Sequence, residues 1–125
     1  MRILLDTHIF YWLFYERQKL PSAARTTLDN ADAVNVSAVS FWEIAIKVKA
    51  GKLKADIPEL LASLEAANLF ELPVLARHTL LASTLPLHHA DPFDRLLIAQ
   101  AIGEPLHLLT SDARLRRYSE LVILV

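Results

Sequence analysis

A chain of 125 residues with a net charge of −1 and 54% hydrophobic residues reads as one domain, able to bury roughly two thirds of the surface its unfolded form exposes. Cysteine is absent, which excludes disulfides and thiolate metal centres, so any metal must be held by oxygen or imidazole. No apolar run approaches the ~18 residues that span a bilayer, and "MRILLD" meets an acid too soon for a signal peptide; a cytoplasmic protein without a membrane partner is expected.

Short apolar runs alternate with longer stretches of helical signal. "RILL" (2–5) reads as a buried strand ended by Asp6. "HIFYWLFY" (8–15) is large and apolar at almost every position, a helix that must be covered on most sides, with Tyr11, Trp12, Phe14 and Tyr15 available to a partner chain or a second copy. "PSAARTTLDNA" (21–31) begins with Pro and Ser and predicts a helix, and "VNVSAV" (34–39) predicts a strand. "SFWEIAIKVKAGKL" (40–53) spaces Phe41, Ile44, Ala45 and Val48 at helical intervals, as "DIPELLASLEAAN" (56–68) does Leu60, Leu61, Leu64 and Ala67. A weaker strand is expected near "LFELPV" (69–74). In "HADPFDRLLIAQA" (88–100) a buried helix begins at Pro92 with Asp91 as its N-cap. "LHLLTSD" (106–112) and "LVILV" (121–125) complete a predicted α/β domain, 1–125, with a central parallel sheet of four to five strands covered on both faces. Neither of its two glycines opens a phosphate-cradling loop, so nucleotide binding of the P-loop or G-x-G-x-x-G kind is unsupported.

Parallel α/β sheets bind ligands outside the carboxyl ends of their strands. Asp6 and Asp112 each follow a strand, Glu43 lies one turn into the helix after "VNVSA", and Asp94 lies one turn into the helix at Pro92. Any one of these acids could be a cap or a solvated loop residue. Glu43 is harder to read that way, because "SFWEIAI" surrounds it with apolar neighbours and an ion there needs a partner. Converging carboxylates repel, and a divalent cation relieves them; an all-oxygen site suits Mg²⁺, with Mn²⁺ as a substitute. The chemistry that follows is phosphodiester hydrolysis. The hydroxyls of Thr7, Ser40 and Thr110 stand near these acids and either orient them or make ordinary turn bonds. "KVKAGKLK" (47–54) and "ARLRRY" (113–118) concentrate basic charge, either as solvated faces or as anion contacts.

"ILLDTHIFYWL", "SAVSFWEIAIK", "HADPFDRLLIAQA" and "LLTSDARL" together resemble the PIN domain, and the set looks most like the VapC-type toxins of bacterial toxin–antitoxin pairs. The resemblance runs from about residue 2 to residue 123; its specificity lies in the ordered set of four motifs. It implies a three-layer α/β/α fold and a metal-dependent endoribonuclease whose catalytic and metal-binding residues are Asp6, Glu43, Asp94 and Asp112. It matches Thr110 to the hydroxyl of a closing T-x-D motif and leaves open whether Asp91 joins the metal site. It further implies an RNA substrate and a small antitoxin partner; from their local charge Lys47, Lys49, Arg95 and Arg114 are expected to meet the RNA, and the aromatic helix at 8–15 offers apolar surface for the antitoxin or for a homodimer. The five histidines show no ligand spacing, and the pair before Asp91 is expected to shape the turn or touch RNA. A phosphoacceptor receiver would need paired acids after its first strand and a lysine after its last, and a haloacid-dehalogenase-like phosphatase would need an Asp where His8 stands. A non-catalytic binding module of the same fold would have no reason to keep the repulsion of four acids.

Overall fold

A computed structural model describes residues 1–125. Five parallel strands, β1 (Arg2–Leu5), β2 (Ala33–Ser37), β3 (Phe70–Leu72), β4 (His107–Thr110) and β5 (Val122–Leu124), stand in the order β3-β2-β1-β4-β5. Helices α1 (Thr7–Tyr15) and α2 (Ser22–Asp29) link β1 to β2, and α3 (Ala38–Lys49) and α4 (Ile57–Ala62) link β2 to β3. Helices α5 (Ala76–Thr84) and α6 (Pro92–Gly103) carry the chain back to β4, on the other side of β1. The sheet is thus the expected parallel one of five strands. Its order reverses between β1 and β4, where the crevice above a doubly wound sheet opens.

Alternation along the strands builds two cores. Successive strand side chains point to opposite faces, so Ile3, Leu5 and Leu109 join Ile9, Phe10, Ala24, Ile44 and Leu60 on one side. Leu4 and Leu108 join Leu97, Ile98, Ala101 and Leu115 on the other. Helices therefore cover both faces, in three α/β/α layers. The aromatic helix is mostly covered from within: Phe10 is fully buried, Trp12, Leu13 and Phe14 pack against the first core, and only Tyr15 is exposed.

Several elements differ from the sequence expectation. β2 ends at Ser37, whose hydroxyl accepts from the Val39 amide and starts α3 two residues earlier than its apolar spacing suggests. The helix expected over 56–68 is α-helical only to Ala62. Looser turns follow, closed by Asn68 at φ 62° with the Leu69 amide donating to the Leu64 carbonyl at 2.9 Å. Helix α5 had no apolar periodicity to announce it, since His78 is its only buried residue.

Candidate active site

Each expected acid is placed by a local turn. Asp6 leaves β1 as the N-cap of α1 and is 2% exposed. Its Oδ1 accepts from the Thr7 amide at 2.7 Å and its Oδ2 from the Thr110 hydroxyl at 2.5 Å. Thr110 Oγ1 in turn accepts from the Asp112 amide at 3.0 Å, so one hydroxyl ties the end of β1 to the turn after β4. Thr7 and Ser40 share a hydrogen bond of 2.9 Å that pins α1 to α3. Glu43 is buried one turn along α3, and its Oε2 accepts from Lys47 Nζ at 2.8 Å. Its Oε1 is buried with no hydrogen-bond partner. A lone carboxylate oxygen in that state is costly.

Asp91 is the N-cap of α6 as expected, accepting from the Phe93 amide at 2.8 Å and the Asp94 amide at 3.1 Å. Asp94, in the first turn, meets the imidazole of His89, whose Nε2 lies 2.8 Å from its Oδ2. Asp112 caps the 3₁₀ turn Ala113–Tyr118 through the Arg114 amide, and the Arg114 guanidinium clasps both its oxygens at 2.7 to 3.2 Å. His89, Asp94 and Asp112 each offer a ligand atom within 4.8 Å of the others.

The field of this cluster registers on its members. Burial, with Glu43 and Asp112 adding to it, pushes the Asp6 carboxyl up to about 6 against the bonds from Thr110 and Thr7. Burial also lifts Asp94 to about 6, with Asp6, Asp91 and Glu43 adding to it. Asp112 is held below its usual range by the Arg114 guanidinium. Four acids from four elements thus act on one another above the switch point.

A raised carboxyl stabilises the fold only while protonated, so metal-free protein loses stability as pH rises from the unfolded carboxyl value near 4 to about 6. His8, lowered by burial, works the opposite way, so a variant isolates the effect. Metal-free Asp94→Asn should be more stable than the parent at pH 7.5 by roughly 1–3 kcal/mol, a gap that narrows as pH falls below about 6 and closes near 4. Denaturant titrations across this range check it. A constant gap would show that Asp94 carries no penalty for its charge.

The basic residues divide. Lys47 and Arg114 are in the cluster, each already paired with an acid. Arg95 has structural partners of its own: its guanidinium donates to the carbonyls of Pro86, Ala82 and Leu85 at 3.0 to 3.1 Å and to Tyr118 Oη at 3.3 Å. It ties the end of α5 to α6 through both terminal nitrogens. Arg95→Met, which keeps the stem and removes the donors, should cost about 2 kcal/mol in chemical denaturation; full stability with weakened RNA affinity would show that Arg95 serves the RNA and not the fold. Lys49 is exposed and about 200° round α3 from Lys47.

His89 was missed as a member of the cluster. Its backbone is clamped by Tyr118, whose hydroxyl accepts from the His89 amide at 2.8 Å and donates to its carbonyl at 3.2 Å. The only signal was its place two residues before the cap of α6. His8 was missed too. Its Nδ1 lies 3.3 Å from Asp6 Oδ2, and its Nε2 accepts from the Ser111 hydroxyl at 2.7 Å and the Ser111 amide at 3.3 Å.

Fold and site together define an α/β domain with an acid cluster at its switch point, suited to a cation. Residues 3–121 match the PIN domain, and the chain belongs to that family. It is similar to Ribonuclease VapC22 of Mycobacterium tuberculosis, with 34% identity over 121 residues that cover 93% of this chain and 91% of that protein. Among solved structures, VapBC2 from Rickettsia felis bound to a promoter DNA fragment matches with a TM-score of 0.71 at 18% identity, over 100% of this chain and 98% of that one. A toxin–antitoxin complex from Klebsiella pneumoniae matches with a TM-score of 0.68 at 16% identity, over 97% and 95%. FitAcB from Neisseria gonorrhoeae matches with 0.66 at 17% identity, over 98% and 96%. At these identities the structures speak for the fold.

Proposed function

We propose that this protein is a divalent-metal-dependent endoribonuclease and the toxin of a toxin–antitoxin pair. The observation that carries the nuclease reading is the convergence of Asp6, Glu43, Asp94 and Asp112 with one Glu43 oxygen buried and unpartnered. Two carboxyls lifted to about 6 and an orphaned carboxylate oxygen mark a donor set with negative charge in excess. Such a set fits a hard dication, Mg²⁺ with Mn²⁺ as substitute. Asp94, Asp112 and His89, whose ligand atoms lie within 4.8 Å of one another, would hold it, with Asp6 and Glu43 adding their charge beside them. When bound, the cation supplies the positive charge that polarises a phosphodiester and makes water a nucleophile near neutral pH.

The chain's own residues prepare that chemistry. Thr110 and the Thr7 amide fix both oxygens of Asp6, and the Thr7–Ser40 bond holds α1 against α3. His89 orients the Asp94 carboxylate. Lys47 and Arg114 balance Glu43 and Asp112, and both heads reach the surface, where they can exchange a carboxylate for an RNA phosphate.

The similarity to a protein named as a ribonuclease supports RNA as substrate, and the similarity to toxin–antitoxin complexes supports a small antitoxin partner. No helix of the chain is long and apolar enough to cross a membrane. We place the protein in the cytoplasm as a homodimer, with Trp42 and Ile46 on α3 and Leu80 on α5 as exposed apolar surface for a second copy. Expression alone should arrest growth, and co-expression with the small partner should restore it. Unimpaired growth at high expression would remove the toxin reading and leave the nuclease.

A further inference from the structure

Between α1 and the turn that ends α3 lies a pocket of about 250 Å³ whose walls include Thr7, His8, Trp12, Lys19, Lys47 and Lys52. It adjoins the acid cluster. Thr7 and His8 directly follow Asp6, and Lys47 bonds Glu43 while also lining the pocket. The other large cavities lie at the amino ends of β2 and β3 and carry acids such as Asp32 and Glu65 without a lysine, whereas here three lysines outnumber the one acid, Glu16.

Its shape is built by the backbone. α3 ends in Gly51 at φ 75°, which lets the Lys52 amide return to the Lys47 carbonyl at 2.8 Å and brings both lysines to one wall. Lys19 is paired with Glu16 and Lys47 with Glu43, whereas Lys52 enters none of the chain's ion pairs. Across from them, His8 is locked by Ser111 and Asp6, and its ring meets Trp12 with centroids 4.9 Å apart at 66°. The indole is therefore held in place on a helix beside free positive charge.

We propose that this pocket seats the nucleotide next to the scissile phosphate, its base against Trp12 and its phosphate on Lys52. The inference rests on the nuclease reading above. An aromatic face beside basic side chains is how proteins hold an unstacked base and its backbone. A base paired in a duplex cannot enter, so the pocket selects single-stranded RNA.

The chain has two tryptophans, and Trp42 is 62% exposed, so Trp42→Phe leaves Trp12 as the only indole. In that background, with Ca²⁺ in place of Mg²⁺, labelled single-stranded RNA is titrated while its anisotropy and the Trp12 emission are followed together. Emission should be quenched in step with the rise in anisotropy, and duplex RNA should leave it unchanged. Lys52→Glu, at an exposed position, should weaken binding about tenfold and flatten the salt dependence by about one phosphate. A rise in anisotropy with Trp12 emission unmoved and Lys52→Glu binding as tightly as the parent would overturn the pocket and leave the nuclease standing. Unchanged RNA affinity of Lys52→Glu with loss of antitoxin binding would overturn it in favour of a protein segment. No binding of RNA by the parent would overturn both readings.

Discussion

Asp94→Asn is expected to lower RNA cleavage by roughly three orders of magnitude, the scale of losing an essential charge-stabilising group, while Asp91→Asn keeps cleavage close to that of the parent. The two acids flank Pro92 and differ in what their oxygens do. Asp91 accepts from the Phe93 and Asp94 amides through Oδ1, as an N-cap does. Asn caps a helix about as well, so Asp91→Asn preserves α6, whereas Asp91→Ala should cost about 1 kcal/mol. Asp94 has no amide to satisfy. It stands among Asp6, Asp91 and Glu43 with its carboxyl lifted to about 6. Asn in its place keeps the size and can still accept from His89, so only the charge is lost. Cleavage by both variants is measured at saturating Mn²⁺ after equal helix content is established by circular dichroism. An inactive Asp91→Asn beside an active Asp94→Asn would exchange the two roles.

Much of this arrangement was legible from local patterns. The short apolar runs "RILL" and "LHLLT" mark the strands, and the acid that follows each lies where a parallel sheet opens its crevice. Glu43 was legible because an acid on an apolar helix needs a reason, and its unpartnered oxygen supplies one. What stayed hidden depends on chain folding back over distance. His89 meets Asp94 only because the loop before α6 is tied down by Tyr118, 29 residues further on. Arg95 follows Asp94 directly, yet its long stem carries the guanidinium to the carbonyls at the end of α5. A linear reading sees its charge and not those partners. Lys49 was grouped with Lys47 by proximity in sequence, although two residues along a helix face nearly opposite ways. The end of α4 was lost to Asn68, whose left-handed conformation no apolar spacing records.

Metal removal should have an effect as large as any substitution. The acids hold charge and geometry but no electrophile of their own, and with Asp6 and Asp94 lifted to about 6 by burial and their acidic neighbours, a dication competes with protons for them. Its affinity should fall as pH drops through 6, where both carboxyls protonate, and level off above it. Lys47 and Arg114 can bind a phosphate without the ion, so RNA binding can survive when cleavage does not. The most direct measurement is digestion of single-stranded RNA by purified protein with Mg²⁺, with excess chelator, and with chelator followed by Mn²⁺, the fragment ends being mapped each time. Discrete cleavage with Mg²⁺, its loss in chelator and its return with Mn²⁺ are expected. Cleavage at the same positions, undiminished in excess chelator, would contradict a metal-dependent nuclease at this acid cluster.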